Sequence, residues 1–151
     1  MSQINVNTIA SAAGTDYQFI KQIVTGTTTT QVDVSSTTLT DTGLTASITP
    51  STSSSKILIL VSQSVAHNAR SIGRLVIFRA ASNIYDTIDV GDADNQRSLH
   101  FATFLDSPST TSSTAYKTQM SRFDQSGTIN IQRNDSGSAG KSTIILIEVA
   151  A

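Results

Sequence analysis

The 151-residue chain contains no cysteine and no tryptophan. Without Cys there are no disulfides and no thiolate metal sites. Aromatic residues total only 5%, so a groove that stacks sugar rings on aromatic faces has little to be built from. Charge is scarce too: 14% of residues are charged, with 10 basic against 11 acidic and a net charge of −1. Nucleic-acid binders show a basic excess or stripe, whereas Arg70 and Arg74 are close in sequence but stand alone. No nucleic-acid partner is expected. Unbroken apolar runs reach five residues at most, far below the ~20 of a membrane-spanning helix. The opening Met1-Ser2-Gln3-Ile4 has no basic region, and Asn5, Asn7 and Thr8 interrupt the apolar residues, so neither a secretory signal nor a membrane partner is expected. Glu148 is the single glutamate and there are four lysines, which leaves few strong helix formers for a solvent face.

What the chain does contain favours strands. Ser and Thr make up about 30% of it, above ordinary usage. Thr, Ile and Val suit a pleated surface, and Ser with Gly suits the turns between strands. At this length the chain is expected to be one domain, large enough to remove roughly 68–70% of its unfolded surface from water.

Residues 1–16 read as an extended N-terminal arm, followed by one domain over 17–151. Ile4, Val6 and Ile9 give the arm a little alternation, and Ser11-Ala12-Ala13-Gly14 breaks it. Such a segment holds no structure alone but can pair with a neighbour, which makes Ile4, Val6 and Ile9 the candidate assembly residues. From Tyr17 onward, alternation recurs at short spacing. Asp41-Thr42-Gly43 reads as a turn into a strand with Leu44, Ala46 and Ile48 on one face, ended by Pro50. A Ser/Thr loop over 51–55 leads to the most apolar stretch, Ile57-Leu58-Ile59-Leu60-Val61. Its apolar residues fall on both faces, which predicts a central strand covered on each side, so that Leu60→Asp would unfold the domain. Further strands are read over 74–80, 84–90, 98–105, 116–123, 128–133 and 142–149. Residues 67–71, 91–96 and 109–113 read as loops, with His67, Asn68, Arg70, Asp92, Asp94 and Asn95 as candidate exposed contacts. No segment shows a helical period. Eight to ten short strands separated by turn signals predict an all-β fold, an antiparallel β-sandwich or barrel. The core strands at 57–61 and 144–149 could be neighbours in one sheet, as a jelly roll allows.

No stretch of the sequence carries a complete catalytic or metal-binding pattern. His67 and His100 are the only histidines, and without Cys or an H-x-x-x-H spacing they make a poor zinc set. The Asp-rich tract at 89–95 lacks the Gly and closing Glu of an EF-hand. Gly140-Lys141-Ser142 resembles the end of a phosphate loop, but Asp135 stands where that motif needs Gly. The cluster Asp86, Asp89, Asp92 and Asp94 could supply paired carboxylates, but a catalytic acid needs an apolar pocket, and the sequence shows no aromatic-rich groove. No catalytic residue, cofactor or metal is expected, and the protein is read as non-enzymatic.

The stretch QIVTGTTTTQVDVSSTTLTDTGLTASITPSTSSSKILILVSQSV, residues 22–65, resembles a segment recurrent in virion proteins of tailed bacteriophages, especially phages of aquatic bacteria. Its most specific part is D-T-G-L-x-A-x-I-T-P, followed by a Ser/Thr loop and S-K-I-L. Similar portions follow at Phe78-Arg79 with Ser82-Asn83-Ile84, at Ser107-Pro108, and over 110–116, 127–133 and 142–149. The opening Ile4-Asn5-Val6-Asn7-Thr8-Ile9 also looks like the starts of such proteins. The resemblance implies a jelly-roll-like sandwich acting as a homotrimer in the virion, with no catalytic motif to carry over. The chain has no repetitive shaft or coiled coil of the sort a long fibre needs. A capsid decoration (cement) protein is therefore favoured, its partners being itself and the major capsid protein, assembled in the host cytoplasm. A tail-fibre or receptor-binding tip contacting host glycans is the alternative.

Overall fold

A computed structural model describes residues 19–69, 71–91, 96–124 and 127–150. These form β1 (Ile20–Thr28), β2 (Val32–Val34), β3 (Thr40–Ile48), β4 (Lys56–Asn68), β5 (Ser71–Arg79) and β6 (Ser82–Gly91). There follow β7 (Gln96–Asp106), β8 (Thr114–Asp124), β9 (Thr128–Ile131), β10 (Asn134–Asp135), β11 (Ser138–Ala139) and β12 (Ser142–Val149). Every pairing is antiparallel. The expected arm residues Ile4, Val6 and Ile9 lie outside the described residues.

Two sheets face each other. In sheet I, β1, β12, β4 and β7 lie side by side; β9 takes the place of β12 beside the far half of β4 and carries β2. Sheet II runs β3-β8-β5-β6. Numbering the eight long strands in chain order gives 1-8-3-6 for sheet I and 2-7-4-5 for sheet II. That order is a jelly roll, an antiparallel β-sandwich made of two interlocked Greek keys. The two core strands separated by some eighty residues of sequence are direct neighbours, with Ile147 opposite Leu58.

Alternation dictates the core. Ile57, Ile59 and Val61 of β4 and Ile144 and Leu146 of β12 meet Leu44, Ala46 and Ile48 of β3 and Leu75 and Ile77 of β5. Removing each large aliphatic side chain from water stabilises the fold by roughly 1.5–3 kcal/mol. Edge β1 closes against β3 at Gly26, where a Cβ would stand 2.0 Å from the Thr45 carbonyl oxygen. Only a residue without a side chain permits that approach.

Three expectations need correction. Asp41-Thr42-Gly43 is not a turn. β3 passes through it with a register shift between Asp41 and Thr45, where Gly43 takes φ +76° and its N–H is held by Asp41 Oδ1 at 3.0 Å. This β-bulge needs the positive φ that Gly supplies. The loop expected at 67–71 is cut short by strand at both ends, with β5 starting at Ser71. β4 runs through Asn68, and His67 is 1% exposed. Finally, β4 is central in its sheet, but among the described residues only its inner face is covered. Leu58 and Leu60 are half-buried, and beside them Ile23, Phe101 and Leu105 are exposed.

Candidate binding surface

The outer face of sheet I carries seven apolar side chains among Ser and Thr, in three uncharged rows across the four long strands. Register aligns Ile23, Ile147, Leu58 and Leu105 in one row. The next row is Thr25, Ile145, Leu60 and Thr103, and the one after it Thr27, Thr143, Ser62 and Phe101. No charged side chain stands in these three rows. Phe101 is 71% exposed and Ile23 59%. Around Phe101 the face dips into a shallow hollow of about 180 Å³, floored by Leu60, Thr143 and Ile145. Large exposed apolar side chains gathered on one face, rather than scattered singly, are the feature that marks interaction surfaces.

Sheet II presents paired charges outward, with Ile88 exposed opposite Arg74. Lys117 Nζ meets Asp41 Oδ2 at 2.7 Å, and Arg74 grips both carboxylate oxygens of Asp86. Burial pushes the Asp41 carboxyl up, but the Lys117 ammonium and the Gly43 N–H outweigh it and hold it below its usual value. The Arg74 guanidinium holds Asp86 below its usual value as well.

Between the sheets several buried polar groups form ties. Gln63 of β4 stands in phase with Ile59 and Val61 and points into the core, where it is 0% exposed. Its Oε1 accepts from Thr118 Oγ1 of β8 at 2.9 Å, and Thr118 Oγ1 lies 2.5 Å from Thr42 Oγ1. On the other side Gln63 Nε2 and Gln132 Nε2 both donate to Ser142 Oγ at 2.8 Å. The chain of bonds thus links β12 and β4 of one sheet to β8 and β3 of the other. At one end of β7, Asp106 accepts from both Tyr116 Oη at 2.7 Å and Arg79 Nη1 at 2.8 Å, again joining the two sheets. Burial and the neighbouring Asp106 carboxylate both raise the Tyr116 hydroxyl above its ordinary value.

Glu148 is fully buried on β12. Its carboxylate accepts from the Ser51 N–H at 2.6 Å, from Ser51 Oγ at 2.5 Å and from Gln22 Nε2 at 2.6 Å. Burial pushes this carboxyl up, and the bonds from Ser51, Gln22 and Ser55 overcome it, bringing the value down to about 2. Hydrogen bonding to the charged form has this effect without a cation. The carboxylate pins the Ser/Thr loop at 51–55 to β1 and β12.

The expected contact residues are not brought together. His67 points into the sandwich, where Nδ1 lies 2.7 Å from Ser71 Oγ and the ring centroid 6.3 Å from that of His100. It is therefore withdrawn as an exposed contact: its phase continues that of Gln63 and Val65, which was the signal available in the sequence. Asn68 is exposed at the end of β4. Arg70, Asp92, Asp94 and Asn95 lie outside the described residues. Of the Asp cluster, Asp86 is held by Arg74 as described. Among the described residues no group of three or more His, Asp or Glu side chains is placed to hold a metal ion. A second hollow of about 310 Å³ opens between the edges of β6 and β7, lined by Thr87, Ile88, Ser98, Leu99, His100 and Phe101.

The chain matches no protein-family model, and no curated protein matches it.

Proposed function

We propose that the protein is a non-enzymatic structural component of a phage virion, a capsid decoration protein that sits on the shell as a homotrimer and binds through the outer face of sheet I. The observation that carries this reading is that face, uncharged over three cross-strand rows on a chain with exposed Phe101, Ile23 and Leu105. The resemblance of residues 22–65 to phage virion proteins supports it independently and supplies the setting. The inner polar groups serve cohesion: Gln63, Asp106 and Glu148 each join separate strands or loops. Each contact on the shell would be weak, and many copies in symmetric array supply the avidity.

The experiment is to count this chain in purified virions and locate it by imaging. Hundreds of copies spread over the head are expected. A few to a few dozen copies at the tail, with binding of the purified protein to host cells, would replace the decoration reading with a receptor-binding tip. Absence from particles would overturn both.

A further inference from the structure

A sheet edge exposes a row of unpaired backbone N–H and C=O groups, and bulges, charges or short edge strands keep other chains from pairing with it. Among the described residues the two facing sheets end in β1, β2 and β7 on one and in β3 and β6 on the other. All but β7 are guarded. β1 is bulged at Lys21, which its pairing with β12 skips. β3 carries the bulge between Asp41 and Thr45. β6 skips Ile84 against β5 and carries Asp86, and β2 is three residues long with Asp33 at its middle.

β7 has none of these devices. Gln96 through Asp106 pair with β4 one after another without a register shift, and residues 98–105 include no Asp, Glu, Lys, Arg or Pro. The charges at its two ends are engaged within the subunit, Arg97 with Asp135 and Asp106 with Arg79 and Tyr116. Leu99, Phe101 and Leu105 are exposed along the strand, as is Ile88 of β6. Ile88, Leu99 and Phe101 line the hollow between the β6 and β7 edges, so this side of the sandwich is apolar at the margins of both sheets.

The strand also complements itself. When β7 is laid antiparallel against a second β7 with Ala102 opposite Ala102, Leu99 of each copy meets Leu105 of the other, and Phe101 meets Thr103. Cross-strand pairs of this sort add to the stability of a ladder. Centring the pair one residue earlier would set Arg97 against Leu105. In the favoured register residues 98–106 of each copy pair, giving about eight to ten backbone hydrogen bonds, as many as a typical specific interface carries.

We infer that two copies of the chain join edge to edge through β7 about a twofold axis, so that sheet I and its apolar outer face run on from one subunit into the next. A twofold contact uses the same patch on both subunits. It engages the edge and leaves the outer face free, so a trimer joined this way would pair into a hexamer. The inference does not rest on the virion reading: the test is run on the isolated full-length protein, and virion occupancy remains a separate question.

The absence of native Cys makes disulfide trapping unambiguous. Leu99→Cys and Leu105→Cys, both at exposed positions, are made separately and oxidised at micromolar concentration, alone and after mixing and exchange. Equivalent positions on the two copies lie about 20 Å apart in the antiparallel register, so neither variant alone should cross-link. The mixture should give a disulfide-linked pair of one chain of each variant. No cross-link in the mixture, or a cross-link in either variant alone, would overturn the inference. Thr103→Lys, at an exposed position on the same edge, gives a reading free of engineered thiols. Sedimentation equilibrium should find an even number of chains per particle in the wild type and half that mass in Thr103→Lys. An odd number of chains in the wild type, a single chain included, would overturn the inference, as would an unchanged mass in the variant.

Discussion

The two sheets are built from the same alternation, yet their outer faces differ. Sheet II turns outward Lys117 paired with Asp41 and Arg74 paired with Asp86. Sheet I turns outward Ile23, Leu58, Leu60, Phe101, Leu105, Ile145 and Ile147. Both inner faces are apolar, as folding requires. The fold therefore accounts for the inner faces and for the charged outer face, which is ordinary protein surface. It does not account for the apolar outer face, which costs solubility and adds nothing to the core. Under the proposed function that face has a second use, binding, with sheet I as the working side.

The sharpest way to break the comparison is within β4, where adjacent residues face opposite ways. Ile59 is fully buried, and Ile59→Asp should cost on the order of 4 kcal/mol or more, enough to unfold a marginal domain. Leu60 is half-buried on the outer face, and Leu60→Asp should cost about 1 kcal/mol, leaving a folded and more soluble protein. Circular dichroism with urea titration separates the two. Equal loss of structure in both variants would mean that the outer face is as much core as the inner one.

A somewhat smaller effect is expected at the edge shared by the sheets. At Gly26 the added Cβ meets Thr45 backbone, so Gly26→Ala must part β1 from β3 and should cost roughly 1–3 kcal/mol. Hydrogen exchange should report it as faster opening of β1, and unchanged exchange there would contradict the close approach.

The Glu148 tie predicts an acid dependence. Its carboxyl is held at about 2, against 4.5 for the ordinary value. A group whose folded value is depressed contributes stability above its unfolded value and loses that contribution as pH falls through the folded one. Stability should therefore decline between about pH 4.5 and pH 2. Glu148→Gln should flatten that decline while costing about 1–3 kcal/mol at neutral pH, because it removes charge-assisted bonds. A variant with the wild-type acid profile would show that another group governs it.

The smallest effect should come from the charged face. Lys117→Met or Arg74→Met removes one partner of an exposed ion pair and should change stability by no more than about 1 kcal/mol, less at high salt. Thermal unfolding at two salt concentrations tests this. A loss of several kcal/mol would undo the contrast between a working face and an ordinary one.

How much of this could be read in the sequence depended on whether period two was sufficient. β12 was legible as a strand over its full length, though with apolar residues on both faces, and the inward set Leu44, Ala46 and Ile48 was legible because alternation alone specifies the face. The sandwich followed from strand number and turn spacing, but the pairing of β4 with β12 is a contact between distant segments that no local pattern encodes. Apolar residues on both faces of β4 were read as a strand covered twice. Sequence cannot distinguish a covered outer face from an uncovered one, since both require apolar side chains. Asp41-Thr42-Gly43 carries the residues of a turn, and a bulge uses the same positive φ at Gly43. The polar ties were missed for a different reason. Gln63, Asp106 and Glu148 occupy inward positions of their strands, and a polar residue in core phase was the available sign. Which partner each would meet across the sandwich was not written locally.

The central claim is that the outer face of sheet I is what this protein binds with. The direct measurement is the copy number of Leu60→Asp in purified virions, relative to wild type, once the variant is shown to be folded. The account predicts a folded protein that is largely absent from particles. Wild-type occupancy by that folded variant would contradict it.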